Sequence, residues 1–107
     1  MFGGSRFREV VQRQLVLFAE DEAALLEEGN AADRAWTAAA REESEELFGD
    51  YQLVVDAIGE RLYDIRESYA GTLDEATADD YREAFNRAAV KRFRRFASFL
   101  EDGDAWP

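Results

Sequence analysis

The sequence predicts an all-α fold: an antiparallel helical bundle of three helices, completed by dimerisation. Three observations predict it. Apolar residues recur at steps of three and four along three long stretches. Glycines fall between those stretches, where a helix can end without steric cost. No stretch carries the apolar–polar alternation of a half-buried strand.

The first helix is expected over about 5–28. Its apolar positions are Phe7, Val10, Val11, Leu15, Leu17, Phe18, Leu25 and Leu26, with Ser5 as N-cap and Gly29 as stop. The second is expected over about 31–70, capped by Asn30 and ended by Gly71. Its seam runs Trp36, Ala40, Glu43, Leu47, Tyr51, Val54, Ile58, Leu62, Ile65 and Tyr69, a 3-4 spacing of the coiled-coil kind. Phe48 and Val55 widen it. Gly49 sits on the far face, so the helix is expected to run through it; a break near Gly49 is the alternative and gives four helices. The third helix is expected over about 78–101. A Thr77/Asp80 box caps it, with Thr72/Glu75 as a rival start. Its core positions are Tyr81, Phe85, Ala88, Ala89, Phe93, Phe96, Phe99 and Leu100. Gly103 marks its end, and 102–107 is a short tail. The whole chain, 1–107, reads as a single helical domain.

Composition excludes several classes of function. The chain has 107 residues, with 24 acidic and 13 basic side chains and a formal net charge of -11. It has no cysteine and no histidine. A disulfide scaffold, a Cys/His zinc site, a Ser-His-Asp triad and a histidine general base are therefore impossible within one chain. A hydrophobic content of 47% is too high for a disordered acidic tail. The one apolar run near the N-terminus covers five residues, 15–19. That is shorter than the roughly 7–15 of a signal peptide or the roughly 20 of a membrane span. A cytoplasmic location without membrane association is the expectation. Lys91 is the only lysine. Acid excess with scarce lysine is a halophile-like composition, similar to that of proteins from salt-accumulating cells.

Three groups of residues carry possible chemistry. Glu42, Glu43, Glu45 and Glu46 are followed by Asp56, Glu60, Asp64 and Glu67. Side chains three or four apart share a helix face, and a pair such as Glu43 and Glu46 suits one hard cation. The stretch Glu42-Glu43-Ser44-Glu45-Glu46-Leu47 resembles the EExxEL element of the all-α nucleotide pyrophosphohydrolases of the MazG and dimeric dUTPase type. Those families follow it with ExxD on a facing helix. Here the nearest stretch is Glu60-Arg61-Leu62-Tyr63-Asp64, one residue longer. The resemblance implies a Mg²⁺ site of Glu43, Glu46, Glu60 and Asp64, with the metal activating water against a phosphate. The plainer reading is a solvated acidic stripe with no metal and no cofactor.

The second group is basic: Arg87, Lys91, Arg92, Arg94 and Arg95, with no acid between Ala84 and Leu100. Arg87, Lys91, Arg94 and Arg95 mark a stripe for nucleic-acid phosphates or a protein partner. The net charge opposes nucleic acid. The plainer reading places these bases at a helix C-terminus, paired with Asp56, Glu60, Asp64 and Glu67. The third group is aromatic. Phe93, Phe96 and Phe99 cannot share one narrow helix face, and the packing partners of Phe2, Trp36 and Trp106 are not fixed by spacing. A core plus an oligomer interface is preferred to a ligand pocket.

The function expected from these features is non-enzymatic: a small acidic helical protein that self-associates as a homodimer and binds another protein. Its interaction residues are Leu47, Tyr51, Val54, Ile58, Leu62, Ile65 and Tyr69, and no catalytic residue is assigned. The alternatives are a Mg²⁺-dependent nucleotide pyrophosphohydrolase and a nucleic-acid-associated accessory protein using the basic third helix.

Overall fold

Hydrogen-bonded helix accounts for every regular element in the computed structural model, which describes residues 6–97. The elements are α1 (Arg8–Asp21), α2 (Ala23–Thr37), α3 (Arg41–Ala70), α4 (Glu75–Arg92) and the single turn α5 (Arg94–Ala97). No strand occurs among the described residues. Ser5, Phe2, Phe99, Leu100, Gly103, Trp106 and the 102–107 tail lie outside them.

Four of the expected helix boundaries differ in the structure. Gly29 and Asn30 do not form a turn; both lie inside α2. The first helix is instead interrupted at Glu22, whose backbone (φ -110°, ψ 30°) joins α1 to α2 with little loss of hydrogen bonding. Glu22 N–H still donates to the Phe18 carbonyl at 2.8 Å, and Leu26 N–H to the Glu22 carbonyl at 2.9 Å. Neither glycine nor proline is at this kink. Three successive acids, Glu20, Asp21 and Glu22, oppose the macrodipole at the end of α1, and Glu22 reaches Arg61 of α3 at 3.8 Å.

The second helix begins ten residues later than expected. Residues 38–40 make a tight connection, and α3 then runs unbroken for 30 residues, straight through Gly49. The break falls in a run of three alanines, the best intrinsic helix formers. Two effects override propensity there. Glu42 and Glu43 occupy the first turn of α3, where the N-terminal end of a helix dipole favours negative charge. The turn also folds Trp36 back onto Phe48 and Tyr51, at ring-centroid distances of 4.8 and 5.3 Å.

Gly71 does end α3 as expected. Neither expected cap starts α4: the N-cap is Asp74, whose Oδ1 accepts from Thr77 N–H at 2.9 Å. Thr77 Oγ1 donates to Asp74 Oδ2 at 2.9 Å, fixing the same turn. The third helix also ends early, at Arg92, with Phe93 separating it from α5.

These boundaries define a long hairpin. α1 and α2 form one kinked arm antiparallel to α3: Trp36 meets Tyr51, Gly29 meets Ile58, and Glu22 meets Arg61. α4 folds back along the C-terminal half of α3, where Arg82 grips Glu67. Phe7 and Phe18 of the first arm meet Tyr81 and Phe93 edge-on at 5.5 and 5.4 Å. One half of the hairpin is thus a three-helix body. Its core is Phe7, Val11, Leu15 and Phe18, Ile58, Leu62 and Ala70, and Tyr81, Phe85, Ala89, Phe93 and Phe96 among others. The other half is two helices side by side, and the molecule measures 50 × 27 × 22 Å.

Gly29 is the close-approach point of the hairpin. A Cβ there stands 3.1 Å from both Ile58 Cδ1 and Phe96 Cζ. Gly49 faces open space, with nothing within 4 Å. The two glycines therefore respond oppositely to substitution. Gly49→Ala is expected to stabilise the fold by about 1 kcal/mol through helix propensity. Gly29→Val is expected to destabilise it by about 1–3 kcal/mol through overpacking. Urea titration of both variants measures the difference, and a neutral Gly29→Val would disprove the close approach.

Candidate interaction surface

The distribution of burial singles out the two-helix half. Between residues 23 and 57 the only buried residue is Gly29. All other side chains of α2, and those of the first four turns of α3, are half-buried or exposed. An isolated pair of helices can cover only one stripe of each member, and here each amphipathic stripe is wider than its neighbour.

Aromatic residues concentrate at the far end. Trp36 stacks on Tyr51 with 28° between the rings, and Phe48 lies across both. Phe48 remains 41% exposed and Leu53 of α3 70% exposed. Tyr51 anchors this cluster to the body: its hydroxyl donates to the Arg95 carbonyl at 3.0 Å. Arg95 in turn bonds Asp33 Oδ2 at 2.7 Å. Burial, then the nearby Asp33 carboxylate, raises the Tyr51 pKa, and the Arg95 charge opposes the shift. The phenol thus stays a neutral donor.

The seven expected interaction residues divide along α3. Ile58 and Leu62 are fully buried in the chain's own core. Leu47, Tyr51, Val54, Ile65 and Tyr69 are half-buried. The expected bare seam is therefore covered on one side by α2, because the chain doubles back at residues 38–40. What stays uncovered is a face of the hairpin. Sequence reasoning placed Trp36 on that seam but missed its folding back, and the available signal was the acidic first turn Glu42-Glu43, which marks a helix start.

The four carboxylates suggested for a metal do not meet. Glu43, Glu46, Glu60 and Asp64 all lie on α3, and all are exposed. Glu43 and Asp64 are separated by about 31 Å of helical rise. Among the described residues no three Asp or Glu side chains gather as a metal site requires. The motif that suggested a cation is, locally, the charged start of α3.

The basic stripe is also placed differently from its expected pairing. Arg95 joins Asp33, and Arg87 reaches only Glu83, at 4.0 Å. Lys91, Arg92 and Arg94 are exposed without ion pairs among the described residues. Glu67 is held instead by two earlier arginines. Arg82 grips both its oxygens at 2.9 Å, and Arg66 Nε donates at 2.8 Å. Arg66 also donates to Asn86 Oδ1, at 2.9 Å.

The Arg82 hydrogen bonds, helped by Arg66, hold the Glu67 pKa below its usual 4.5. A depressed folded value stabilises the fold wherever the carboxylate is charged. The contribution is complete above 4.5 and is lost as pH falls through the lower folded value. Glu67→Gln is expected to cost about 1 kcal/mol at neutral pH, since the cluster is part-exposed. The gap between variant and wild type should close on acidification. Chemical denaturation of both proteins between neutral and acid pH measures it; a gap constant with pH would mean that packing, not charge, is lost.

A groove of about 380 Å³ lies between α1 and α3, lined by Leu17, Phe18, Asp21, Glu22, Arg61 and Ile65 among others. Leu17, expected in the core, is 50% exposed there. The groove's one base, Arg61, is already turned toward Glu22. Among the described residues no helix is long and apolar enough to cross a membrane. No protein-family model, curated protein or solved structure matches the chain.

Proposed function

We propose that this protein is a non-enzymatic, self-associating helical module of the cytoplasm, a homodimer joined through the open face of its α2–α3 hairpin. One observation carries the reading: a long stretch, residues 23–57, contributes one buried residue, Gly29, to the core. Two helices alone do not make a stable core. Two hairpins from two copies make four helices, enough to close one. The stretch of α3 without a fully buried residue, Arg41 to Ala57, is about 24 Å long, and two helix widths give a footprint of roughly 500 Å² per copy. Twice that reaches the roughly 1,000 Å² expected of a specific interface. Trp36, Phe48 and Tyr51 supply the rigid aromatic anchors that dominate such contacts.

Light scattering tests this. The expected species at micromolar concentration has twice the chain mass of 12.2 kDa. Trp36→Ala combined with Phe48→Ala is expected to weaken the dimer by at least about 2 kcal/mol. Its helix content should hold, because neither residue belongs to the buried core. A wild-type protein that stays monomeric throughout would dispose of the reading.

A further inference from the structure

Charge is strongly divided within the chain. Residues 41–50 carry Glu42, Glu43, Glu45, Glu46 and Asp50 against a single base, Arg41. Those five carboxylates are exposed, and no ion pair engages them among the described residues. They surround the tip of the hairpin. At its root, where α5 lies against the α2–α3 pair, the sign reverses. Arg95 bonds Asp33 and Tyr51 midway along the pair, and Phe96 is against Gly29 at the root, level with Ile58. Arg92 and Arg94 line that corner and Lys91 precedes it, all exposed and without ion pairs among the described residues.

We propose that two copies pair antiparallel, the acidic hairpin tip of each lying on the basic α4–α5 corner of the other. This orientation rests on the homodimer reading. Glu45, in the middle of the acidic tip, and Ile58, level with Phe96, are about 20 Å apart along α3. Antiparallel overlap over that length brings each tip to the root of its partner, and a twofold axis makes the acid–base contact twice. The two tips then stand about two screening lengths apart, because the Debye length is about 8 Å in physiological salt. Parallel overlap would instead press one acidic tip against the other and one basic corner against the other. Like-charge contact of that kind selects against an orientation. The aromatic cluster supplies adhesion in either case; the charges choose the direction.

Neutralising the tip separates the two orientations. Glu42→Gln, Glu43→Gln and Glu46→Gln together are expected to raise the dimer dissociation constant about tenfold, through loss of several interface charges. Lys91→Glu, Arg92→Glu and Arg94→Glu together should weaken self-association at least as much. Mixing that protein with one carrying Glu42→Lys, Glu43→Lys and Glu46→Lys should restore the dimer, because both contacts of the mixed pair are then attractive. The natural chain has no cysteine, so linkage can be read directly with a short bis-maleimide. Glu45→Cys protein should link to Arg94→Cys protein and not to itself. A dimer that tightens on neutralisation, or links tip to tip through Glu45→Cys, overturns the orientation and leaves the homodimer standing. A wild-type monomer at every concentration overturns both.

Discussion

Ile58→Asp is expected to abolish folding, whereas Val54→Asp, one helical turn away, should leave the fold intact and abolish assembly. The two residues occupy successive positions on the same seam of α3 but lie in different environments. Ile58 is fully buried, 0% exposed, between the three-helix core and Gly29 of α2. A carboxylate there has no partner, since no polar or charged side chain is buried among the described residues. Burying an unpaired charge costs more than about 4–5 kcal/mol, most of the stability of a domain this size. Val54 packs against the edge of that core but is only half-buried, in the stretch where only Gly29 is fully covered. Its aspartate remains hydrated in the monomer and becomes desolvated only in the dimer, so the penalty falls on association. Circular dichroism and light scattering on both variants read the two effects separately. Equal unfolding of both would place Val54 in the folding core. A Val54→Asp dimer of undiminished affinity would remove the hairpin face from the interface.

The helical class and most of the core were legible because periodicity reports which side of a helix is apolar. Phe7, Val11, Leu15, Phe18, Tyr81, Phe85, Ala89, Phe93 and Phe96 are buried as their spacing requires. The ends of the helices were much less legible. Gly29 is where local chemistry favours a stop, yet it is needed for close approach to Ile58 and Phe96, and a glycine cannot announce which of these it serves. Residues 38–40 contain no breaker at all, and the chain turns there because Trp36 gains a place on Phe48 and Tyr51. That gain is tertiary, and propensity does not contain it. The error propagated to the site. A seam imagined as one helix from 31 to 70 needs an external partner along its whole length, whereas a hairpin supplies half of that partner itself. The acidic cluster is ambiguous in sequence for a related reason: EExxE on a continuous helix allows a ligand pair beside the plainer solvated stripe, whereas on the first turns of α3 it complements a dipole.

Raising KCl from 0.1 to 1 M is expected to raise the melting temperature by roughly 5–10 °C, equivalent to about 1–2 kcal/mol in a domain of this length. The net charge is -11 on 107 residues. Ion pairs among the described residues engage only Glu22, Glu27, Asp33, Glu67, Asp79 and Glu83 of the carboxylates. The remaining described acids lie on the surface and repel one another. Screening shortens that repulsion from about 10 Å to about 3 Å over the same salt range. Two effects oppose the gain. The Glu67–Arg82 pair weakens with salt, though only modestly, because its bidentate contact at 2.9 Å is half-buried. Contacts between the acidic tip and the basic corner of a partner weaken more, since they are exposed. The Val54→Asp variant removes this second effect by removing the dimer, so its melting temperature should climb at least as steeply as that of wild type. A flat melting curve series in the monomeric variant would mean that the arginines neutralise the acids at long range, and that the halophile-like composition confers no dependence on salt.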